Sequence, residues 1–483
     1  MKNILFSVIL VLATLSGGFA METIIPLEIQ GLIETGEYAK ARAQLEKSAE
    51  QKNMNPEARR ELLREAERLR RIPLDFNRTA EEILEQIQKD IPDATMNDLE
   101  GWTADGTLES RIIDGRRWYF NRSVGNLFIL NRKAADRRKK PADQPPAPPV
   151  KQLKDYAREA LDAHKQSGSN LVNPRRYRIQ YTLTVKPGEV PAGKTIRCWL
   201  PFPKEVQTQT DIRLIGTNPA RNILAPNKTE QRTIYMERPA EADGPTTFSV
   251  TFEYTAWAFV LPVDPDKIEP YEPADDTYVK YTAERPPQIV FTPEIRSLVK
   301  EIIGEENNPY LQAKRIFAWV ESNIVWTGAL EYSTVPCLAM RALQRRTGDC
   351  GMQGLLFITL CRAAGIPARW QSGWTPRITG GMGMHDWTQF YVLPHGWLYA
   401  DPSHGLLKSD DEEVKWFNFG NFNAFRLIVN SDYGMELVPP KTHFRSEPVD
   451  FQRGEVEWEG GNLYFNQWEY ESVVTDLPVE KES

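Results

Sequence analysis

Cysteine is scarce in this chain: Cys198, Cys337, Cys350 and Cys361 are the 4 thiols among 483 residues. That is too few for a disulfide scaffold, and no CxxC pair offers a zinc site, although in an oxidising compartment some could still be bridged. Excess basic charge is missing as well, since the formal charge is −7. This excludes the basic face that nucleic acid demands and disfavours polyanionic membrane surfaces. Beyond the first twenty residues no apolar run is long enough to cross a bilayer, so no integral membrane segment is expected. The glycines of "TGGMGMH" precede no helix, which argues against a phosphate loop and for a rim around a site. The acidic run Asp410-Asp411-Glu412-Glu413 lacks calcium-loop spacing. No cofactor and no metal is therefore expected.

What is present begins with "MKNILFSVILVLATLSGGFA", a lysine, an apolar run and small residues ending at Ala20. This is the pattern of a cleaved secretory signal over residues 1–20. No cysteine follows the run, so a lipid anchor is not expected, and the mature chain is expected to be periplasmic, at the cell surface or secreted. Its charge would be −7 − 1 = −8, because Lys2 is the only charged residue removed.

Patterning divides the remainder. Residues 21–137 read as a helical or α+β accessory region: two amphipathic stretches, "IETGEYAKARAQLEKSAEQ" and "NPEARRELLREAERLRR", then a hairpin turning at Asp114-Gly115. Asn55 before Pro56 is a good helix start. The proline-rich stretch 138–150 reads as a stiff linker. Residues 151–270 predict a short helix and a β-sandwich, because Tyr177, Ile179, Tyr181, Leu183 and Val185 alternate with polar residues, as do Phe248, Val250, Phe252 and Tyr254. Helices followed by aromatic strands over 285–440 predict an α+β core, and 441–483 reads as a C-terminal β extension. The fold class is thus a multidomain α+β protein.

The chemistry centres on "RRTGDCGMQGLLFITLCRAAGIPARW". Met352 to Ala364 leave almost no polar face, so Cys350 opens a buried helix that Gly365 and Pro367 end. The free amides and positive dipole of a helix start favour a thiolate, lowering its pKa from about 8.5, and can hold an oxyanion. A nucleophile also needs a base and an orienter. In "MHDWTQFYVLPHGWLYADPSHG", His385 heads one strand and Asp401 ends the next. A simple count leaves that pair about three residues out of register, roughly 10 Å at 3.3 Å per residue, so a bulge or displaced histidine is expected. His395 and His404 read as more exposed, and Asp386, beside His385 on an extended segment, points the opposite way.

Gly348-Asp349-Cys350, "LCRAAGIPARWQSGW", "HDWTQFYV" and "GWLYADPS" together resemble the catalytic core of the transglutaminase-like superfamily, over roughly 290–430. The resemblance implies a papain-like core, a cysteine-bearing helix packed on an antiparallel sheet. It implies Cys350 as nucleophile, His385 as acid/base and Asp401 as the residue orienting the imidazole. Transglutaminases, cysteine proteases and amidases share this arrangement, so the expected reaction is amide or peptide acyl cleavage or transfer through a Cys350 thioester, with hydrolysis favoured. The partner would be a polypeptide or amide substrate, with cell-wall or glycan association allowed for. Trp326 and Gln389 are candidates for an oxyanion or substrate wall, and the C-terminal aromatics for sugar stacking. The competing reading is a non-catalytic surface binding or assembly protein on the same fold, which a Cys337–Cys350 disulfide would favour.

Overall fold

A computed structural model describes residues 25–139, 149–376 and 382–479. The leader, most of the linker and the "TGG" part of the expected rim lie outside the described residues. Those up to Ala80, with Ser110–Phe120, form one compact unit, and Glu81–Glu109 with those from Asn121 onward form the other. The division falls inside the 21–137 stretch that the sequence reading treats as one region.

The smaller unit contains the helices Leu27–Glu34, Tyr38–Ala49 and Pro56–Asp75 and a three-stranded antiparallel sheet. The Asn55 side chain caps the third helix, accepting from the Glu57 amide at 2.8 Å. The hairpin turns at Asp114 and Gly115 with φ of 48° and 83°, the paired left-handed geometry that Asp-Gly favours. Leu45, Leu62, Leu69, Ile72, Phe76 and Phe120 fill its interior.

The larger unit holds a β-sandwich whose sheets have four and five strands. Tyr177, Ile179, Tyr181 and Leu183 alternate inward against Phe248, Val250, Phe252 and Tyr254, all fully buried, and the helix Pro149–Ser167 adds Tyr156, Ala157 and Ala160 to that core. The segment expected as a C-terminal β extension supplies strands to both sheets of this sandwich. Trp468–Leu477 pairs antiparallel with Leu171–Val185, Trp468 opposite Val185 and Leu477 opposite Arg176. Glu455–Trp458 pairs with Thr195–Pro201 in the second sheet. An alternating strand reads the same whichever sheet accepts it, so sequence periodicity carried no sign of this return. Tyr464 and Trp468 are buried in this packing, whereas Trp458 and Phe465 are half-buried and Tyr470 is exposed.

Between those sandwich strands the chain builds a five-stranded antiparallel sheet in the order Phe419–Gly420, Gly396–Ala400, Met382–Val392, Ala368–Pro376, Leu427–Asn430. The helix Cys350–Ala363 lies against it. Phe357 on the helix meets Phe390 on the central strand at 6.4 Å between ring centroids. On the strand Ala368–Pro376, Gly373 faces His385, and a Cβ there would stand 1.9 Å from the Leu427 carbonyl oxygen. Only glycine lets the outer strand approach so closely behind the histidine. Among the described residues no helix is long and apolar enough to cross a membrane.

Candidate active site

Asp349 caps the cysteine helix: its Oδ1 accepts from the Met352 amide at 3.1 Å and from Tyr332 Oη at 2.8 Å. A carboxylate at the helix start offsets the positive dipole end. The partner of the Cys350 thiol is Asp386, with Sγ donating to Oδ2 at 3.2 Å. Gln452 Nε2 holds the other Asp386 oxygen at 2.6 Å and also donates to the His385 carbonyl at 2.8 Å. Gly351 makes room for this cluster, because a Cβ there would come within 2.1 Å of Tyr332 Oη and 2.8 Å of Asp386 Oδ2.

This environment reverses the expectation for the thiol. Burial pushes the Cys350 pKa well above its ordinary value, and the carboxyls of Asp386 and Asp349 push it the same way. Burial also raises Asp386 well above the usual carboxylate range, with Asp450 and Asp349 adding to the effect, and raises Asp349 to about 6. The site at rest is a neutral thiol among protonatable carboxyls, not a preformed thiolate.

His385 and Asp401 are brought together directly, His385 Nε2 lying 2.7 Å from Asp401 Oδ2. Trp387 is the residue level with Asp401, since Thr388 pairs with Ala400. His385 is therefore two positions away on the same strand face, a diagonal neighbour that its imidazole spans without a bulge. The sequence count erred by one residue, and with it the parity. Burial lowers the His385 pKa against the opposing pull of Asp401, so the ring is neutral near pH 7. Although burial acts to raise Asp401, its contacts with His385, His404 and the Arg426 guanidinium hold it well below the usual range.

Three residues of this cluster were not anticipated in these roles. Arg426 Nη2 donates to Asp401 Oδ2 at 2.6 Å. His404 stacks on His385 with ring centroids 4.3 Å apart. Asp386 faces the helix along with Thr388 and Phe390, where a strand usually carries apolar side chains; a lone carboxylate on that face was the available signal. Donor atoms of His385, Asp401 and His404 lie within 4.8 Å of one another. A cation there would have to displace the guanidinium already seated on Asp401.

The wall candidates separate. Trp326 is half exposed on the short strand Val325–Trp326, paired with Gly348 two residues before the thiol. Gln389 is instead buried, with its Oε1 accepting from Arg369 Nε at 2.8 Å, so it packs inside the sheet and is withdrawn as a wall residue. All 4 cysteines are free, so the Cys337–Cys350 disulfide is not formed.

Residues 296–402 match the family model described as the transglutaminase-like superfamily, so this chain carries a transglutaminase-like domain. No curated protein matches the chain. Among solved structures, a candidate cysteine protease from Cytophaga hutchinsonii is similar at 15% identity, over 65% of this chain and 94% of that one, with a TM-score of 0.43. The periplasmic domain of TgpA from Pseudomonas aeruginosa is similar at 14% identity, over 52% of this chain and 91% of that one, with a TM-score of 0.25. A candidate protease from Parabacteroides distasonis is similar at 12% identity, over 52% of this chain and 47% of that one, with a TM-score of 0.22. Likeness at this level says nothing about substrate.

Proposed function

We propose that this is an exported thiol enzyme that cleaves or transfers an amide or peptide acyl group, with Cys350, His385 and Asp401 as its catalytic residues. The observation that carries the reading is the 2.7 Å pair of His385 Nε2 and Asp401 Oδ2 within the family-matched stretch that also holds the helix-opening Cys350. Asp401 occupies Nε2, which leaves Nδ1 as the nitrogen that exchanges protons with the thiol and the leaving group. A neutral imidazole and a neutral thiol suit general-base attack: Nδ1 takes the S–H proton as Sγ bonds to the carbonyl carbon. The amides of Met352 and Gln353 are bonded to Asp349, which leaves those of Cys350 and Gly351 for the oxyanion. Nδ1–H then protonates the departing amine as the C–N bond breaks, and water or a second amine resolves the thioester.

The organisation we propose is a leader over 1–20, an accessory region, a linker, a sandwich from about 151 and the core over 285–440. Its substrate is a polypeptide or amide. The test is turnover on a peptide and amide panel with intact-mass detection of an acyl-enzyme. Cys350→Ala should abolish both, and unchanged turnover in that variant would sink the assignment. A second reading is a non-catalytic binding or assembly protein, favoured by the thiol's seat on Asp386 and its raised pKa. Absence of any acyl-enzyme alongside peptide or glycan binding that survives Cys350→Ala would select it.

A further inference from the structure

Asp386 lies in a buried knot of carboxyls that the proposed reaction leaves without a role. Facing it are Cys350 and Asp349 from the helix start, Tyr332 from the preceding turn, and Glu447, Asp450 and Gln452 from the loop before Glu455–Trp458. Ser372 and Asn430 reach the same knot, donating to Asp450 Oδ1 at 2.6 Å and 3.1 Å. Arg445 acts on Asp450 and Arg453 on Glu447.

The protons can be assigned by counting donors. Tyr332 has a single O–H, and it goes to Asp349 at 2.8 Å, so toward Asp386 Oδ2, 3.4 Å away, it presents a lone pair. Gln452 supplies the N–H on Oδ1. Asp450 shares a side-chain hydrogen bond with Asp386, so one proton lies between those two carboxyls, and on Oδ2 the thiol S–H is the other donor, at 3.2 Å. His385 Nδ1 has no hydrogen-bond partner among the described residues.

We propose that Asp386 is a catalytic residue acting as a latch: it accepts the Cys350 S–H, keeps the nucleophile a neutral thiol seated on the carboxyl, and must release it before His385 Nδ1 takes the proton. This rests on the reading of Cys350 as the nucleophile. The step exchanges one hydrogen bond for another and consumes no co-reactant. The sulfur rotates from Asp386 Oδ2 to His385 Nδ1, and the proton stays on sulfur until attack. A chain with an apolar residue at 386 would have no such hold on its thiol.

The experiment is iodoacetamide alkylation of Cys350 in the full chain, followed by mass spectrometry against pH in wild type, Asp386→Asn and His385→Ala. Asparagine keeps the shape and the Gln452 contact but turns an N–H toward the sulfur and removes the carboxylate. It should alkylate about tenfold faster at pH 7, with the profile moved about one unit down. A folded Asp386→Asn with an unchanged or slower profile overturns the latch. Infrared spectroscopy gives a second measurement that needs no Asp386 variant. The wild-type minus Cys350→Ala difference spectrum should show a hydrogen-bonded S–H stretch, and a band at the free-thiol position overturns the proposal. Failures remain separable. Turnover surviving Cys350→Ala removes the nucleophile reading, whereas an insensitive Asp386→Asn with turnover lost in Cys350→Ala removes the latch alone.

Discussion

Arg426 Nη2 and His385 Nε2 converge on one atom, Asp401 Oδ2, at 2.6 Å and 2.7 Å. The guanidinium is 2% exposed and lies over the Trp387 ring, 5.0 Å from its centroid. Asp401 is thus charged in a buried place because two donors and an aromatic wall surround it. Removing one partner strands the carboxylate, and breaking a buried pair in this way costs about 3–5 kcal/mol. Arg426→Met should lose that much in urea unfolding, and a loss below about 1 kcal/mol would show that His385 and His404 suffice.

The carboxyls near the thiol predict a pH dependence of stability whose sign is opposite to that of Asp401. Burial raises Glu447 to about 8 and Asp349 to about 6. Raised carboxyls bind more protons folded than unfolded, so their effect on stability worsens as pH rises from about 4, the unfolded value, to about 8. Asp401, with a depressed pKa, adds stability above about pH 4 that is lost as pH falls through its folded value. Urea midpoints should therefore be lower at pH 8 than at pH 5.5. Glu447→Gln should flatten that slope, and an equal slope in the variant would remove Glu447 as its source.

Gly351 admits no side chain without displacing Tyr332 and Asp386. Gly351→Ala should cost about 1–3 kcal/mol through overpacking and change the alkylation rate of the adjacent Cys350. A variant with wild-type stability and thiol reactivity would mean that the tyrosine and carboxyl yield freely.

Asn126 bonds both polar groups of the Gly328 backbone, donating to its carbonyl at 2.9 Å and accepting from its amide at 2.8 Å. Those two bonds fasten the segment that carries Trp326. Asn126→Ala should cost about 1–3 kcal/mol and speed amide exchange at Thr327 and Gly328. Unaltered exchange there would show that the pairing of Trp326 with Gly348 is enough.

Much of the site was readable where local chemistry sets geometry. Cys350 at a helix start follows from the apolar run after it, and the meeting of His385 with Asp401 follows from a short hairpin. The thiol's electrostatics were not readable. They depend on burial, which a helix-dipole argument leaves out, and on Asp349 and Asp386, the latter raised in turn by Asp450 and Glu447 from a separate segment. Arg426 stood in "FNAFRLIVN", an apolar strand entry with nothing to mark its charge as paired. The sandwich strands were legible from alternation, but their partners were not, because periodicity fixes which face a residue takes and leaves its neighbour open.

The return of Trp468–Leu477 to pair with Leu171–Val185 makes the sandwich a bracket around the core. A ribosome delivers the first of these strands nearly three hundred residues before the second. Throughout that interval one flank of Leu171–Val185 waits as an open sheet edge, the kind of surface that recruits foreign strands. The nascent chain is therefore most exposed to mispairing while its chemistry is being assembled, and it is relieved only when the last strand arrives to close the clasp.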